Sequence, residues 1–374
     1  MKNRNRAFDD LRSFAIILVV LHHSILAYST FVEFNDENPV KNVSPIVDSD
    51  TFPWFNLIIS LNDSFFMFLL FFVSGIFLWE SLQRKGAKKF LKERFIKLGL
   101  PFLIGVPILM PLAYYPAQLE IDAIKGNEHN FISYWLDLAS NGFGTAGPLW
   151  FIWVLLVFNL IFITLYAVFP SLDKLFKQKV PIIFKHSSLF FLVLIPISVM
   201  VYFPISVIVI IFKIPWWIYT GPFGFQTNRI FLYFLFFIAG AIIGGYGVDK
   251  TFLRNNGNLA KYWWVGLFVA VPFFLIFMIV QLGFVIACGS LVLTVTGFFL
   301  WKKNKQNRFK RSFRQNSYGI FIVHYFFVIW MQYLLLDIPL AGFFKGLIVF
   351  VFALILSWFA VDLLRKIPQV NRVI

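Results

Sequence analysis

The sequence predicts an all-α polytopic membrane protein with about ten transmembrane helices and both termini in the cytoplasm. Three observations lead to this fold class. Hydrophobic residues make up 59% of the 374 residues and charged residues only 14%, whereas soluble chains carry about a quarter. Ten apolar runs are long enough to span a bilayer. The lysines and arginines collect in alternate loops, as membrane topology requires.

The ten apolar runs give the predicted spans in chain order. They lie near residues 13–31, 54–79, 98–117, 149–169, 187–212, 229–247, 263–281, 283–301, 317–336 and 343–364. Only Gln281, Leu282 and Gly283 separate the seventh run from the eighth, so we expect a tight helical hairpin there. No soluble domain is visible in the sequence, and residues 1–374 are expected to form a single integral-membrane domain.

The distribution of charge predicts the orientation. Of the 33 basic residues, 28 lie on one predicted side and five on the other, where most loop carboxylates also lie. The five are Lys41, Lys125, Lys213, Arg229 and Lys345. By the positive-inside rule the richer side is cytoplasmic, which indicates a multi-pass protein of the cytoplasmic membrane. The same alternation argues against nucleic acid as the partner of the +15 net charge.

The first span, with its approach RNRAFDDLRSFAIILVVLHHSILAYS, carries ionisable residues where lipid tolerates few. Arg12 and His23 are eleven positions apart, so in a helix they lie about 20° apart on one face, while His22 points elsewhere. The helical rise puts His23 roughly 16 Å above Arg12, near the middle of the hydrocarbon layer. Asp9 lies within reach of Arg12 at the helix start. A signal peptide or an anchor helix with incidental histidines is the alternative, but HH interrupts the apolar core that a signal peptide needs.

A second histidine, His324, lies in the ninth predicted span. It is about 15 Å from Arg314 at the predicted cytoplasmic end, which is nearly the depth calculated for His23. Two histidines at one depth suggest a shared cavity, in which a neutral imidazole could take a proton from an alcohol. The alternative for His324 is a buried side chain hydrogen-bonded to a neighbouring helix. A metal site is not expected, because no carboxylate or cysteine joins the two histidines at ligand spacing.

Polar and aromatic residues mark the ends of other spans. Arg94 and Lys97 are one helical turn apart at the mouth of the third span, where they are either membrane anchors or the site of an anionic ligand. Trp150 follows a Gly-Pro turn and is typical of an aromatic residue at the outer membrane interface. Asp63, at the outer end of the second span, is expected to face water rather than a partner.

These segments resemble the acyltransferase 3 family of membrane O-acyltransferases across nearly the whole chain. The resemblance is carried by Arg12 and His23 with Asp9 before them, FFVSGIF at 71–77, Arg94 with Lys97, the LWF segment at 149–151, and SYGIFIVH at 317–324. Lys97 stands where the family has a second arginine, which keeps the charge but loses the bidentate fork. Within the family, the chain is most similar to the branch that contains glucan succinyltransferases.

The resemblance implies transfer of an acyl group, acetyl or succinyl, from cytoplasmic acyl-CoA to a hydroxyl of a cell-surface or periplasmic carbohydrate. The implied site residues are His23, His324 and Asp9 for catalysis, Arg12, Arg94 and Lys97 for the CoA phosphates, and Trp150 and Ser317 for the substrate. No permanently bound cofactor or metal is expected. Some family members carry an extracytoplasmic hydrolase-like domain, and none follows Ile374, so we expect this chain to complete the transfer itself or with a separate partner.

A proton-coupled transporter or flippase is the rival hypothesis. Ten spans with ionisable groups near the bilayer midplane would suit such a carrier equally well. Two features count against it: no pair of similarly broken helices recurs in two halves of the sequence, and the charged mouth is on one side only.

Overall fold

A computed structural model of the chain describes residues 6–169, 171–302 and 307–374. Within these ranges, each of the ten predicted apolar runs contains an α-helix. The ten apolar helices are α1 Arg6–Leu26, α2 Trp54–Ile76, α3 Ala87–Lys125, α4 Trp150–Val168, α5 Ser187–Ile211, α6 Ile230–Tyr246, α7 Leu267–Phe277, α8 Leu282–Trp301, α9 Arg308–Leu334 and α10 Gly342–Leu364.

Shorter elements connect these helices. Short α-helices lie at Leu78–Lys85, Phe131–Ser140, Leu172–Lys177, Asn258–Lys261 and Pro368–Asn371. Short 3-10 helices lie at Pro39–Lys41, Gly147–Leu149, Ile182–Phe184, Val248–Lys250 and Trp263–Gly266. The strands β1 Trp217–Thr220 and β2 Phe223–Gln226 pair as an antiparallel hairpin. Gly221, in the turn between them, has a φ of +57°, which glycine adopts without strain.

Seven of the ten helices are long and apolar enough to cross a membrane, by length and composition. They are α2, α3, α4, α5, α8, α9 and α10. The helix α6 and the segment Trp263–Phe277 are apolar but shorter, and α1 carries four charged residues among its first seven. The predominantly helical, multi-pass architecture predicted from the sequence is therefore confirmed, whereas the count of ten spans and the cytoplasmic termini stay predictions.

The interior of the bundle is built around α1, α2 and α8. α1 packs against α2, α8, α9 and α10, and α2 packs in turn against α6. The apolar windows of α2 and α8 are mostly buried, whereas those of α5 and α10 are mostly exposed. A helix that is apolar all round and still exposed requires lipid as its solvent, so α5 and α10 contribute to the lipid-facing surface.

Two glycines bring α6 against α2 backbone to backbone. A Cβ atom at Gly240 would lie 2.1 Å from the carbonyl oxygen of Phe72, and one at Gly244 would lie 1.9 Å from that of Ile76. The four-residue spacing puts both glycines on one face of α6, as in other close helix pairs of membrane proteins. No larger residue fits at either position, so these glycines fix α6 relative to α2.

A buried lysine joins two loops at one end of the helix bundle. The Nζ of Lys345 donates hydrogen bonds to Asp48 at 2.8 Å, to Asp50 at 3.2 Å and to the carbonyl of Leu336 at 3.1 Å. The Lys345 side chain is fully buried, and a buried charge requires such partners. The lysine therefore joins the loop after α1 to the connection between α9 and α10.

The prolines of α3 create docking points for other elements. Proline has no backbone N–H, so the carbonyl four residues before it loses its helical partner. Three carbonyls that precede Pro101, Pro111 and Pro116 by four residues each accept a hydrogen bond from an aromatic side chain elsewhere. Tyr318 Oη donates to the carbonyl of Lys97. Trp135 Nε1 donates to the carbonyl of Pro107 at 2.7 Å, and Trp330 Nε1 donates to that of Leu112 at 2.9 Å. Because Tyr318 and Trp330 both belong to α9, the proline pattern of α3 fixes how α9 packs against it.

We predict that Trp330→Phe destabilises the protein. The substitution keeps an aromatic ring but removes the N–H that satisfies the Leu112 carbonyl, and a buried carbonyl left without a partner costs about 1–3 kcal/mol. Thermal unfolding in detergent measures the difference. The control is Trp264→Phe, at a half-exposed position, which should stay near the parent. Equal midpoints for the two variants would contradict the docking role of the freed carbonyl.

Candidate functional site

A strongly basic cavity of about 680 Å³ opens at the N-terminal end of α1. We call it the basic cavity. Its lining contains seven basic side chains and one carboxylate: Arg6, Arg12, Arg94, Lys97, Arg311, Arg314 and Arg365 with Asp9. They come from α1, α3, α9 and the segment after α10. Such an excess of positive charge in a concave site favours an anionic ligand.

The structure brings five of the predicted site residues to this one cavity. Asp9, Arg12, Arg94, Lys97 and Ser317 all line it, although they come from three helices. The interpretation of the third-span pair as mere membrane anchors does not predict this convergence. The hydroxyl of Ser317 donates to the carbonyl of its own helix three residues earlier, at 3.1 Å, so its bond is local.

Neighbouring side chains orient several of these cations. The guanidinium of Arg12 lies 4.6 Å from the ring centre of Phe77, and that of Arg94 lies 4.8 Å from the ring centre of Phe90. Arg314 forms an ion pair with Asp10 at 3.2 Å.

Arg365 donates to the side-chain oxygens of Asn316 and Asn371, both at 2.9 Å. These bonds hold the segment after α10 against the base of α9, where it closes one side of the basic cavity.

Besides Ser317, α9 contributes two arginines to this cavity that the sequence analysis did not assign to the site. Arg311 and Arg314 both line the basic cavity. The signal was present, because they repeat the three-residue spacing of Arg94 and Lys97. At that spacing two side chains share one helical face.

A second cavity, of about 510 Å³, lies at the other end of α1. We call it the aromatic cavity. Its lining combines rings with a few polar groups, among them His22, His23, Asp63, Tyr114, Trp150, Trp216, Trp217, Tyr219, Gln226, Arg229 and Tyr325. Mostly apolar walls with a few convergent polar groups are typical of binding sites for small molecules. Burial raises the pKa of Tyr219 to about 12, so its hydroxyl stays protonated and able to donate at neutral pH.

The prediction that Asp63 faces water without a partner is wrong. Its Oδ2 accepts a hydrogen bond from Arg229 Nη1 at 2.6 Å, in an ion pair. The Arg229 side chain is only 7% exposed and lies against the ring of Phe284, so it requires a counter-charge, whereas Asp63 is 34% exposed. The pair places one partly accessible carboxylate on the wall of the aromatic cavity.

Trp150, which the resemblance implies as a substrate residue, faces other protein rings rather than outward as a belt residue would. Its ring packs among other protein rings, 5.3 Å from that of Trp217 and 5.7 Å from that of Tyr233, and lines the aromatic cavity. Gly147 makes the turn before it with a φ of +48°. A Cβ at Gly147 would lie 2.9 Å from Tyr114 Oη, so only glycine lets the chain pass here.

The rings of His23 and His324 are neighbours, as their equal heights along the two helices predicted, but they do not share a cavity as expected, because His324 lines neither of the two cavities. The ring centres of His23 and His324 are 5.5 Å apart, and that of Tyr325 lies 5.1 Å from His23. His23 lines the aromatic cavity, whereas His324 lies behind it and is fully buried. His22 also lines the cavity, against the ring of Phe66. The helical repeat thus puts His22 on a different face of α1 from Arg12, but both His22 and His23 line the aromatic cavity.

Hydrogen bonds define the state of these imidazoles. His324 Nδ1 donates to the carbonyl of Phe321 at 2.7 Å, within its own helix rather than to a neighbouring one. Its Nε2 is then the acceptor nitrogen of a neutral ring, and it is buried with no protein partner. His23 Nδ1 is likewise buried without a protein partner. His22 Nδ1 is also buried without a protein partner, so three adjacent rings carry unsatisfied buried nitrogens, which mark a place where a proton could be taken up.

Gln332 fixes the end of the helix that carries His23. Its side-chain amide donates to the carbonyl of His23 at 2.9 Å and to that of Ser24 at 3.3 Å. The last carbonyls of a helix have no partner within the helix, so Gln332 from α9 caps α1 at this point. No sequence pattern indicates this contact, because Gln332 and His23 are far apart along the chain.

Comparison with known proteins gives one family and several relatives. A family model described as an acyltransferase domain matches residues 5–362. Proteins named glucans biosynthesis protein C are similar to the chain: that of Salmonella gallinarum is 26% identical over 243 residues, and those of Shigella boydii and Escherichia coli O157:H7 are 24% identical over 249 residues. Each alignment covers 64% of this chain and 58% of the relative's length. No solved structure matches the chain.

Proposed function

Since the chain belongs to the acyltransferase domain family, we propose that it transfers an acyl group from acyl-CoA, bound in the basic cavity, to a hydroxyl of a carbohydrate in the aromatic cavity. One observation supports this arrangement above all. The two cavities open toward opposite ends of α1, one basic and one aromatic; His23 lines the aromatic cavity, and the basic cavity reaches Phe321, one helical turn before His324 on α9. A donor and an acceptor could thus approach one reaction centre from opposite sides of a membrane.

Charge makes the basic cavity suitable for the donor. The phosphates of CoA are anionic, and forked guanidinium groups such as those of Arg12 and Arg94 match phosphate oxygens geometrically. The flexible pantetheine arm would then lead from the phosphates toward His23. Asp9, beside Arg12 on the cavity wall, would orient the Arg12 guanidinium.

The aromatic cavity has groups that suit a sugar. Flat tryptophan rings offer apolar surfaces for the C–H faces of a pyranose, while Asp63, Gln226 and Tyr219 offer acceptors and donors for its hydroxyls. The printed names of the relatives mention glucans, which makes a glucan the first acceptor to test. The acyl group is proposed to be acetyl or succinyl.

His23 is proposed as the general base. It would take the proton of the acceptor hydroxyl, whose oxygen attacks the thioester carbonyl carbon; the C–S bond then breaks, and the proton passes to the departing thiolate of CoA. The unpartnered Nε2 of His324 would accept or share that proton, and its bond to the Phe321 carbonyl fixes the tautomer that makes this nitrogen available.

We further propose ten spans with both termini in the cytoplasm and a location in the cytoplasmic membrane. The support is the charge alternation together with the position of the basic cavity at the lysine- and arginine-rich end of α1. This topology would put acyl-CoA and the basic cavity on the same side. A separate extracytoplasmic partner that completes delivery to a polymer is compatible with it.

The purified protein with labelled acetyl- or succinyl-CoA tests the function directly. We expect release of free CoA together with label in a glucan acceptor. A proton-coupled transporter, which two cavities on opposite sides would also suit, would move a substrate without releasing CoA. Absence of CoA release with either donor, in the presence of glucan, would favour the transporter.

We predict that Arg94→Ala raises the Michaelis constant for acyl-CoA and leaves membrane insertion intact. Loss of one charge-assisted phosphate contact costs about 1.5–3 kcal/mol, or roughly ten- to a hundredfold in affinity. Arg254→Ala, which removes an exposed arginine outside the basic cavity, is the control. Lys97→Arg should keep donor binding, because it restores a fork at that position. Donor affinity in Arg94→Ala equal to that in Arg254→Ala would return Arg94 to the role of an anchor.

We predict that His23→Ala loses turnover by about 10²–10⁴, the usual contribution of a positioned general base. His22→Ala should retain most activity, because the His22 ring packs against Phe66 rather than against His324. His324→Ala should fall between the two. Acyl transfer is measured at matched membrane abundance of the three variants. Equal losses in His22→Ala and His23→Ala would show that the wrong histidine has been assigned.

A further inference from the structure

The wall between the two cavities is thin. On α1, Ile16 lines the basic cavity and Val19 lines the aromatic cavity. On α2, Leu70 lines the basic cavity and Met67 lines the aromatic one. Each pair is three residues apart, which is about 4.5 Å along a helix axis. On these two helices, therefore, about one helical turn separates a water-accessible basic site from a water-accessible aromatic site.

One residue belongs to both linings. Among the residues that the structure describes, Phe321 is the member that the walls of the basic and aromatic cavities share. Its side chain is 2% exposed. The ring packs edge-to-face on Phe151 with centres 5.6 Å apart, and lies 5.9 Å from the ring of His324. The phenyl ring thus fills the gap that the two helices leave between the cavities.

We propose that Phe321 is a gate between the donor and acceptor cavities, and that its size decides which acyl groups pass. This inference rests on the proposed function, because it assigns a step in the movement of the acyl group toward His23. With the ring in the observed position, the two cavities are separate. Rotation of the ring would open a passage from the basic cavity to His23.

A barrier at this point has two physical reasons. If the thioester reached His23 with no acceptor in place, the base could activate water instead; the hydroxyl of water would add to the acyl carbon and CoA would leave as the thiol. A continuous wet path would also let small ions cross the bilayer. An apolar ring in a narrow constriction keeps water out without blocking a less polar group that displaces it.

The local structure confines the movement to the side chain. Phe321 lies inside α9, and its carbonyl oxygen accepts the hydrogen bond from His324 Nδ1. A shift of the backbone would break that bond and release the imidazole, whereas rotation about the two side-chain torsions leaves it in place. The Phe321 ring can therefore rotate while the Phe321 carbonyl keeps its hydrogen bond to His324.

The first test does not depend on acyl transfer. Proteoliposomes that contain the parent, Phe321→Ala or Phe326→Ala are given a pH step, and an internal dye reports proton leak. Phe326 lies on the same helix, is partly buried, and lines neither cavity, which makes Phe326→Ala the matched control. We expect Phe321→Ala to leak roughly tenfold faster than both, because removal of an apolar constriction lets water enter. A leak equal to that of Phe326→Ala would overturn the barrier.

The second test uses the reaction. Phe321→Ala should raise acceptor-independent CoA release relative to transfer and should accept longer acyl groups, whereas Phe321→Trp should lower transfer without increasing the leak. If Phe321→Ala does not fold, Phe321→Leu replaces it. Phe321→Leu should also raise acceptor-independent CoA release relative to transfer, but by less. An unchanged ratio of hydrolysis to transfer in all three variants would overturn the gate. If the parent itself releases no CoA, the proposed function fails, while the leak assay still decides whether Phe321 is a barrier.

Discussion

A backbone carbonyl inside a bilayer has no water to satisfy it, and this constraint decides how α3 meets α9. The prolines of α3 remove helical N–H donors at intervals, and aromatic donors from elsewhere in the chain fill the vacated positions. Two of the three donors are on α9, the helix that also carries His324. Hydrogen bonds from α9 to carbonyls that the prolines of α3 leave without a helical donor therefore hold the two helices together. These bonds bring the side chains of α3 and α9 to opposite walls of the basic cavity.

The two ends of the bundle differ in how their positive charges are balanced. At one end, the buried cations Arg229 and Lys345 each have a carboxylate within 3 Å. The lining of the basic cavity instead combines seven basic side chains with one carboxylate. Matched buried pairs are compatible with a purely structural role, whereas a concave lining with an excess of positive charge favours an anionic ligand. This contrast is the physical basis for assigning the donor to the basic cavity.

The proposed reaction centre lies where α1 and α9 are in close contact. The His23 and His324 rings are adjacent, Gln332 holds the end of α1, and Phe321 occupies the wall behind them. One face of α9 thus supplies a helix cap, a buried imidazole and the phenyl ring of the proposed gate within about three turns. A transporter would need this region to alternate between two open states. An enzyme needs only a passage wide enough for an acyl group.

Composition and periodicity determined the ten apolar helices and the equal heights of His23 and His324 along α1 and α9, because these depend on the chain's own hydropathy and on a fixed helical rise. Motif spacing likewise named Arg12 and Arg94 as candidate site residues, and both line the basic cavity. The tertiary structure alone decided that Asp63 pairs with Arg229, that Trp150 lines a cavity, and that Phe321 lies between two cavities. A helical repeat gives the face and height of a side chain but not which distant helix it meets. That choice is made by packing at the glycines of α6 and by bonds to the freed carbonyls of α3.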